Sequence, residues 1–287
     1  MSKLFTIDNS FESYQSLISL YNENSNKVFS EISVELCGFF SANMSAALGA
    51  VLDLLSDGFN TINFDYIRGD VESILSKNDF LTFYGRKRAV DIYGTTIKFQ
   101  KLKPTDGKFF KSYVIEELLN THVADLPRMS AGVKEKIIEA IYEIFVNAQI
   151  HSETTHIYTC GQFFPNKNKI EFTIVDTGIG FKEKVNRRFN WNLSSEEAIN
   201  WAVQDRKTTK IGIPGGIGLA VLSEFIAKNK GKFQIISDDG FYQFEANGVI
   251  LKRFVGRFPG TIVNLQFKTN DPYNYSLKSE ININDIF

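Results

Sequence analysis

Glu143, Asn147 and His151 stand four residues apart in a stretch whose apolar residues recur every three or four positions. On a helix such residues share a face, with about 5–6 Å between neighbouring Cβ atoms. A carboxylate and an amide one turn apart can share a hydrated divalent cation and a water. Mg²⁺ suits such a pair, because it takes few protein oxygens and keeps several waters and phosphate oxygens. Taken alone, the stripe also reads as a solvated polar face. His151 by itself reads as a capping or surface residue beside Ser152.

Asp176-Thr-Gly178-Ile-Gly180 follows an apolar strand pattern at 171–175. A carboxylate at a strand end can accept a hydrogen bond from an exocyclic amine. The two glycines permit turns with positive φ and a close ligand approach to the backbone. Alone, the pattern is also a tight turn. Gly215-Gly216-Ile-Gly218-Leu219 opens a helical pattern. Backbone N–H groups and the dipole at a helix start favour an anion, and a phosphate chain is the natural guest. No Gly-Lys-Ser/Thr follows, so this is not a Walker loop, and the spacing is not that of a dinucleotide fingerprint. Gly260-Thr261 begins the last strand pattern, where a hydroxyl can support an adenine site through a water. Between the second and third motifs lies a polar stretch, expected to be irregular over 181–214. It holds Arg206, Lys207, Thr208, Thr209 and Lys210, a basic and hydroxylic cluster just before the glycines that by itself reads as a solvated loop.

The elements that must position these residues follow from periodicity. Val133, Ile137, Ile138, Ile141, Ile144, Phe145 and Ala148 predict an amphipathic helix over 130–151. Strands are expected at 156–160 and 170–175, then a helix from Gly218 to before Gly231. Three strands follow at 232–237, 241–246 and 261–267, with a turn at Ser237-Asp-Asp-Gly240. Upstream, strands at 3–7, 31–40 and 61–64 alternate with helices at 10–21, capped by Ser10, and 44–55, with Gly58 at a C-cap position. Pro104, Asp106 and Gly107 mark a boundary near 101–111. The reading is therefore α+β. A small α/β domain spans 1–105, a sandwich with helices on one face of a mixed sheet spans 112–270, and a tail spans 271–287.

The 287 residues carry a net charge of −1, which points to no nucleic-acid or anionic-membrane partner. Two distant cysteines, Cys37 and Cys160, argue against a disulfide framework and a structural zinc site. With no apolar leader and no run of about 20 apolar residues, a soluble protein of a reducing cytoplasm is expected.

The order of the motifs is more specific than any one of them. Glu143-x-x-x-Asn147-Ala-x-x-His151 resembles the N box of the gyrase, heat-shock-chaperone, histidine-kinase and mismatch-repair (GHKL) ATP-binding domain. Asp176-x-Gly178-x-Gly180 resembles its G1 box, Gly216-x-Gly218-Leu219 its G2 box and Gly260-Thr261 its last strand. The resemblance covers about 113–269 and implies a Bergerat-type sandwich with ATP and Mg²⁺ as ligands. It implies Glu143 as general base and Asn147 as the Mg²⁺ ligand. Asp176 would hold the adenine amine, with Thr261 assisting. Gly178 and Gly180 would border the base, Gly216, Gly218 and Leu219 would meet the phosphates, and Lys210 would lie in an ATP lid.

Thr121-His122-Val-Ala-Asp125 is a poor match to a histidine-kinase phosphoacceptor box and lies too close to Glu143, so autophosphorylation on His is not expected. The lone ATP domain looks most like anti-sigma-factor serine kinases, which act on small STAS-domain proteins. Residues 31–49 resemble a STAS strand and helix start, with Ser41 or Ser45 as the nearest phosphoacceptor candidates. Three readings follow: an ATP-dependent switch or serine/threonine kinase on a STAS-like partner, an ATPase whose lid closure drives dimerisation or remodelling, with a homodimer as a further expected partner state, or a low-turnover ATP-dependent interaction module.

Overall fold

A computed structural model describes residues 2–121, 126–151, 153–204 and 217–280. His122, Asp125, Ser152, Arg206, Lys207, Thr208, Thr209, Lys210, Gly215 and Gly216 lie outside them, as do the side chains of His151, Gly218 and Leu219.

The chain opens with β1 (Ser2–Leu4), α1 (Phe11–Asn24), β2 (Glu31–Leu36), α2 (Ser45–Ser56), β3 (Thr61–Ile67) and α3 (Gly69–Lys77). The strands form a parallel sheet in the order β1-β2-β3. Ser10 caps α1 as expected, its side chain accepting the Ser13 N–H at 3.3 Å. The left-handed residue after α2 is Phe59, at φ 56°, rather than Gly58.

A second sheet follows, from β4 (Thr96–Leu102), β6 (Ile157–Phe164), β7 (Lys169–Asp176), β8 (Lys232–Glu245) and β9 (Gly248–Lys268). Its order is β4-β6-β7-β9-β8, and each neighbouring pair is antiparallel. Parallel pairing lies in the first sheet and between β10 (Asn274–Tyr275) and the short β5 (Arg128–Met129). The helices of this part are α4 (Gly107–Tyr113), α5 (Ala131–His151), α6 (Phe181–Phe189), α7 (Ser195–Ala202) and α8 (Ile217–Asn229). Because β4 belongs to this sheet, no break in the fold coincides with residue 105. Among the described residues, no helix is long and apolar enough to cross a membrane.

The expectation of helices on one face needs correction, since both faces are covered. Ile170, Phe172, Ile174, Val263 and Leu265 pack against α5 and α8 in one core. Tyr158, Cys160, Val175 and Ile262 face the other way and pack with α1 and α2 in a second core. The physical reason is legible in β6 and β7, which are buried nearly end to end rather than at alternate residues. Helix α2 is buried around its whole circumference from Ser45 to Leu52, because it lies between two sheets.

Strand β8 doubles back at Asp238, inside the expected turn, where φ is 55°. Gln234 Nε2 donates to Gln243 Oε1 at 2.7 Å, and the rings of Phe233 and Tyr242 lie 6.2 Å apart. Nine residues of extended strand would separate these pairs by about 30 Å. Strand β9 begins thirteen residues before the expected 261, and its first half extends the ribbon. Gln15 of α1 closes that edge, donating to the Val255 carbonyl at 2.7 Å and accepting its N–H at 2.9 Å.

Between α2 and the large sheet runs a buried polar network. Asn43 Nδ2 lies 2.9 Å from Asn9 Oδ1 and 3.0 Å from Thr173 Oγ1. Thr173 donates to Asn264 Oδ1 at 2.8 Å, and Asn264 Nδ2 donates to Gln234 Oε1 at 3.0 Å. Truncating Asn43 removes the buried donor to Asn9 Oδ1 and Thr173 Oγ1 and leaves a cavity at the interface. Asn43→Ala is therefore expected to lower unfolding free energy by about 2–3 kcal/mol. Urea denaturation checks this, and a loss under about 0.5 kcal/mol contradicts it.

The same interface holds Ser41 and Ser45, both buried. Ser45 Oγ donates to the Ala42 carbonyl at 2.6 Å and accepts from Asn78 Nδ2 at 2.9 Å. Neither hydroxyl is presented to an external phosphoryl donor in this structure.

Candidate functional site

Three neighbouring strands end in a row of polar side chains. Asp176 of β7 stands opposite Thr261 of β9, which stands opposite Ser237 of β8. Strand residues two apart share a face. Ile174, Val263 and Ile235 pack with α5 and α8, so Asp176, Thr261 and Ser237 point to that same side.

Asp176 is 7% exposed. Its Oδ1 accepts the Gly178 N–H at 3.0 Å. Burial pushes its carboxyl up to about 6, against the opposing pull of Lys184 and of that N–H. Lys184, on the first turns of α6, is itself held below the usual lysine range by burial, with Asp176 acting the other way. No protein hydrogen-bond donor among the described residues reaches Asp176 Oδ2, which leaves an acceptor for a ligand amine. Ser237 Oγ accepts the Phe181 N–H at 3.0 Å and donates to the Gly260 carbonyl at 3.2 Å. Thr261 Oγ1, 3.2 Å from Ser237 Oγ, then serves as the donor to it and keeps its lone pairs for a water.

Gly260 is the glycine whose backbone demands its identity. Its φ is +142°, and a Cβ there would lie 2.0 Å from the Asp176 carbonyl oxygen. Gly178 and Gly180, expected at positive φ, are not. Gly180 is instead a close approach, since a Cβ would meet Ser237 Oγ at 2.5 Å.

Glu143 and Asn147 are half-buried on α5. Ile141, Ile144, Phe145 and Ala148 turn to the core shared with Leu222 and Ile226 of α8. The start of α5 is fixed by Ser130, whose Oγ accepts the Val133 N–H at 3.2 Å, and by Glu280, which accepts the Gly132 N–H at 3.1 Å. The loop after its end is tied to the Asp176 turn: Thr154 Oγ1 accepts the Thr177 N–H at 3.1 Å and lies 3.0 Å from Thr177 Oγ1. The structure thus brings Asp176 and Thr261 side by side in the sheet, on the face covered by α5, the helix that carries Glu143 and Asn147. Sequence reasoning missed Ser237, Thr154, Thr177 and Lys184; only the strand-end position of Ser237 carried a signal.

The stretch expected to be irregular holds α6 and α7 within its described part. Ser194 and Glu197 form a capping box at the start of α7, a signature present in the sequence. Gly218 lies in the first turn of α8, while Lys210 and Gly216 are outside the described residues.

A cavity of about 690 Å³ opens beside the Gly178–Gly180 loop, lined also by Tyr21, Asn22, Asp238 and Arg257. It reaches toward α1, which packs on the opposite sheet face, and neither Asp176 nor Thr261 lines it. The chemistry of the strand-end row locates the site better than this cavity does. Among the described residues, no group of three or more His, Cys, Asp and Glu is placed to hold a metal. No protein-family model matches the chain, and no curated protein matches it.

Proposed function

We propose that the chain is a Mg-ATP-binding regulatory protein of the GHKL type, acting as an ATP-dependent switch or serine/threonine kinase on a STAS-like protein partner. The observation that carries this reading is the buried Asp176 carboxylate, one oxygen open, in register with Thr261 on the sheet face that α5 covers. Asp176 Oδ2 accepts the exocyclic amine of adenine, and Thr261 positions a bridging water. Gly180 brings the backbone close beneath the base. The start of α8 offers N–H groups to the phosphates. Asn147 holds Mg²⁺ through its amide oxygen. Glu143 takes the proton from the attacking hydroxyl, whether of a water or of a Ser/Thr side chain.

Ser41 and Ser45 are buried, so neither is offered as the acceptor in the kinase reading. The retained carboxylate at Glu143 favours turnover over mere binding, since a binder needs no base. Asn147→Ala tests the metal role. ATP affinity by calorimetry is expected to fall about tenfold or more with Mg²⁺ and to match wild type in EDTA. A deficit of equal size in both buffers would refute the assignment.

A further inference from the structure

A second concave site lies at the far end of the large sheet. Lys169 pairs with Lys268 at one end of β7 and β9, and Asp176 pairs with Thr261 at the other. Seven residues of strand put the two ends about 23 Å apart. There a groove of about 460 Å³ is lined by Lys167, Lys169, Lys230, Lys232 and Lys268, with Glu245 as its one carboxylate. The chain as a whole carries a net charge of −1, so five lysines around one groove is a local excess.

Three features mark the groove as more than scattered surface charge. First, among the described residues only Lys169 of the five makes a salt bridge, to Glu171 at 2.6 Å. Asp271 is close enough to Lys230 to feel its charge, but it bonds Asn229, Tyr273 and Tyr275 instead. Lys167 sits over the rings of Phe39 and Phe164 rather than over a carboxylate.

Second, Lys230 adopts φ 55° at the end of α8, a left-handed position where glycine or asparagine is usual. A lysine there costs backbone strain of about 1 kcal/mol. Interaction with the helix C-terminus offsets part of it, yet Lys228 already serves that end. Third, the floor is built for close approach. Gly231 lines it where a Cβ would lie 2.1 Å from the Gln266 carbonyl oxygen. Gln266, 8% exposed, also lines the groove.

The geometry points to a binding site for a small, multiply charged phosphate compound, distinct from the Asp176 site. Ammonium groups bind phosphate oxygens as mobile point charges, and several around one pocket suit a ligand with two or more charges. The volume fits a small molecule. The lysines line one concave pocket together with Glu245, which suits a compact ligand better than an extended nucleic-acid backbone.

Inorganic triphosphate is the probe. It is titrated by calorimetry into the full chain, wild type, Lys232→Gln/Lys268→Gln and Asp176→Asn, at low and moderate salt. Saturable binding is expected in wild type, weakened at least tenfold in the double lysine variant and unchanged in Asp176→Asn. Circular dichroism confirms that the variants fold. No binding to wild type overturns the proposal, as does binding that survives the double substitution or is lost in Asp176→Asn. Capture of a single-stranded oligonucleotide without capture of triphosphate also overturns it. ATP affinity at the Asp176 site is measured in parallel, so failure of the groove and failure of the nucleotide site are read separately.

Discussion

Asp176→Asn is expected to bind no ATP and yet to be more stable than wild type at pH 7. Both effects come from one buried carboxylate. Burial raises its pKa from 3.8 to about 6. The folded state therefore holds a proton that the unfolded state has released between about pH 4 and pH 6, and stability falls as pH rises through that window. Above it, the folded protein carries a charge that burial disfavours. A shift of about two units sets an upper bound near 3 kcal/mol. Asparagine keeps an oxygen for the Gly178 N–H and removes the charge. The variant should therefore gain about 1–3 kcal/mol at pH 7.5 and almost nothing near pH 4. Its amide nitrogen meets the adenine amine donor to donor, so affinity is lost. Chemical denaturation at the two pH values and calorimetry with ATP measure the two halves. A variant less stable at pH 7.5 contradicts the cost of the buried charge, and one that binds ATP normally removes Asp176 from the site. In wild type, ATP affinity should also fall as pH drops below about 6, when the carboxyl takes up its proton.

Glu143→Ala is expected to leave ATP binding within about twofold and to slow γ-phosphate release or transfer by roughly 10²–10⁴-fold, the usual worth of general-base catalysis. The side chain is half-buried on a helix whose opposite face is packed, so truncation to alanine leaves α5 in place. Glu143→Gln keeps shape and hydrogen bonding but not basicity, and should be as slow as the alanine variant. Rapid turnover in the glutamine variant would mean that Glu143 acts by position rather than as a base.

Much of this arrangement was legible before any coordinates. Ser10 before an apolar period and the 3.6-residue recurrence from Val133 to Ala148 are strong local signals, and α1 and α5 follow them closely. The turn at Asp238 was legible because two acidic residues and a glycine interrupt apolar alternation. The covering of both sheet faces was not. It depends on which residues of β6 and β7 face α2, and a run such as Ile170 to Val175 reads the same whether one face is buried or two. The membership of β4 in the large sheet was hidden because strand pairing is non-local. The Pro104–Gly107 turn lies inside a fold unit instead of between two. Helices α6 and α7 were missed because their windows are polar, although the capping box at Ser194 was there to be read.

At the candidate site, Asp176 and Thr261 were singled out by their place in an ordered set of motifs, and the register puts them side by side. Ser237 was not found, because its role comes from alignment with Thr261 across strands twenty-four residues apart. The glycine assignment changed for a similar reason. A sequence shows which residues are glycine but not which of them the packing forces to be, and here Gly260 is pressed against the Asp176 carbonyl.

The most direct test follows the γ-phosphate of labelled ATP, with Mg²⁺ and the full chain, wild type beside Glu143→Ala, with and without a STAS-domain protein. Wild type is expected to remove the label from ATP, and Glu143→Ala is not. Acid-stable label on the added protein identifies a serine/threonine kinase, and free phosphate identifies a hydrolytic switch. ATP left intact by wild type, or consumed equally by both proteins, would contradict a Glu143-dependent phosphoryl transfer at this site.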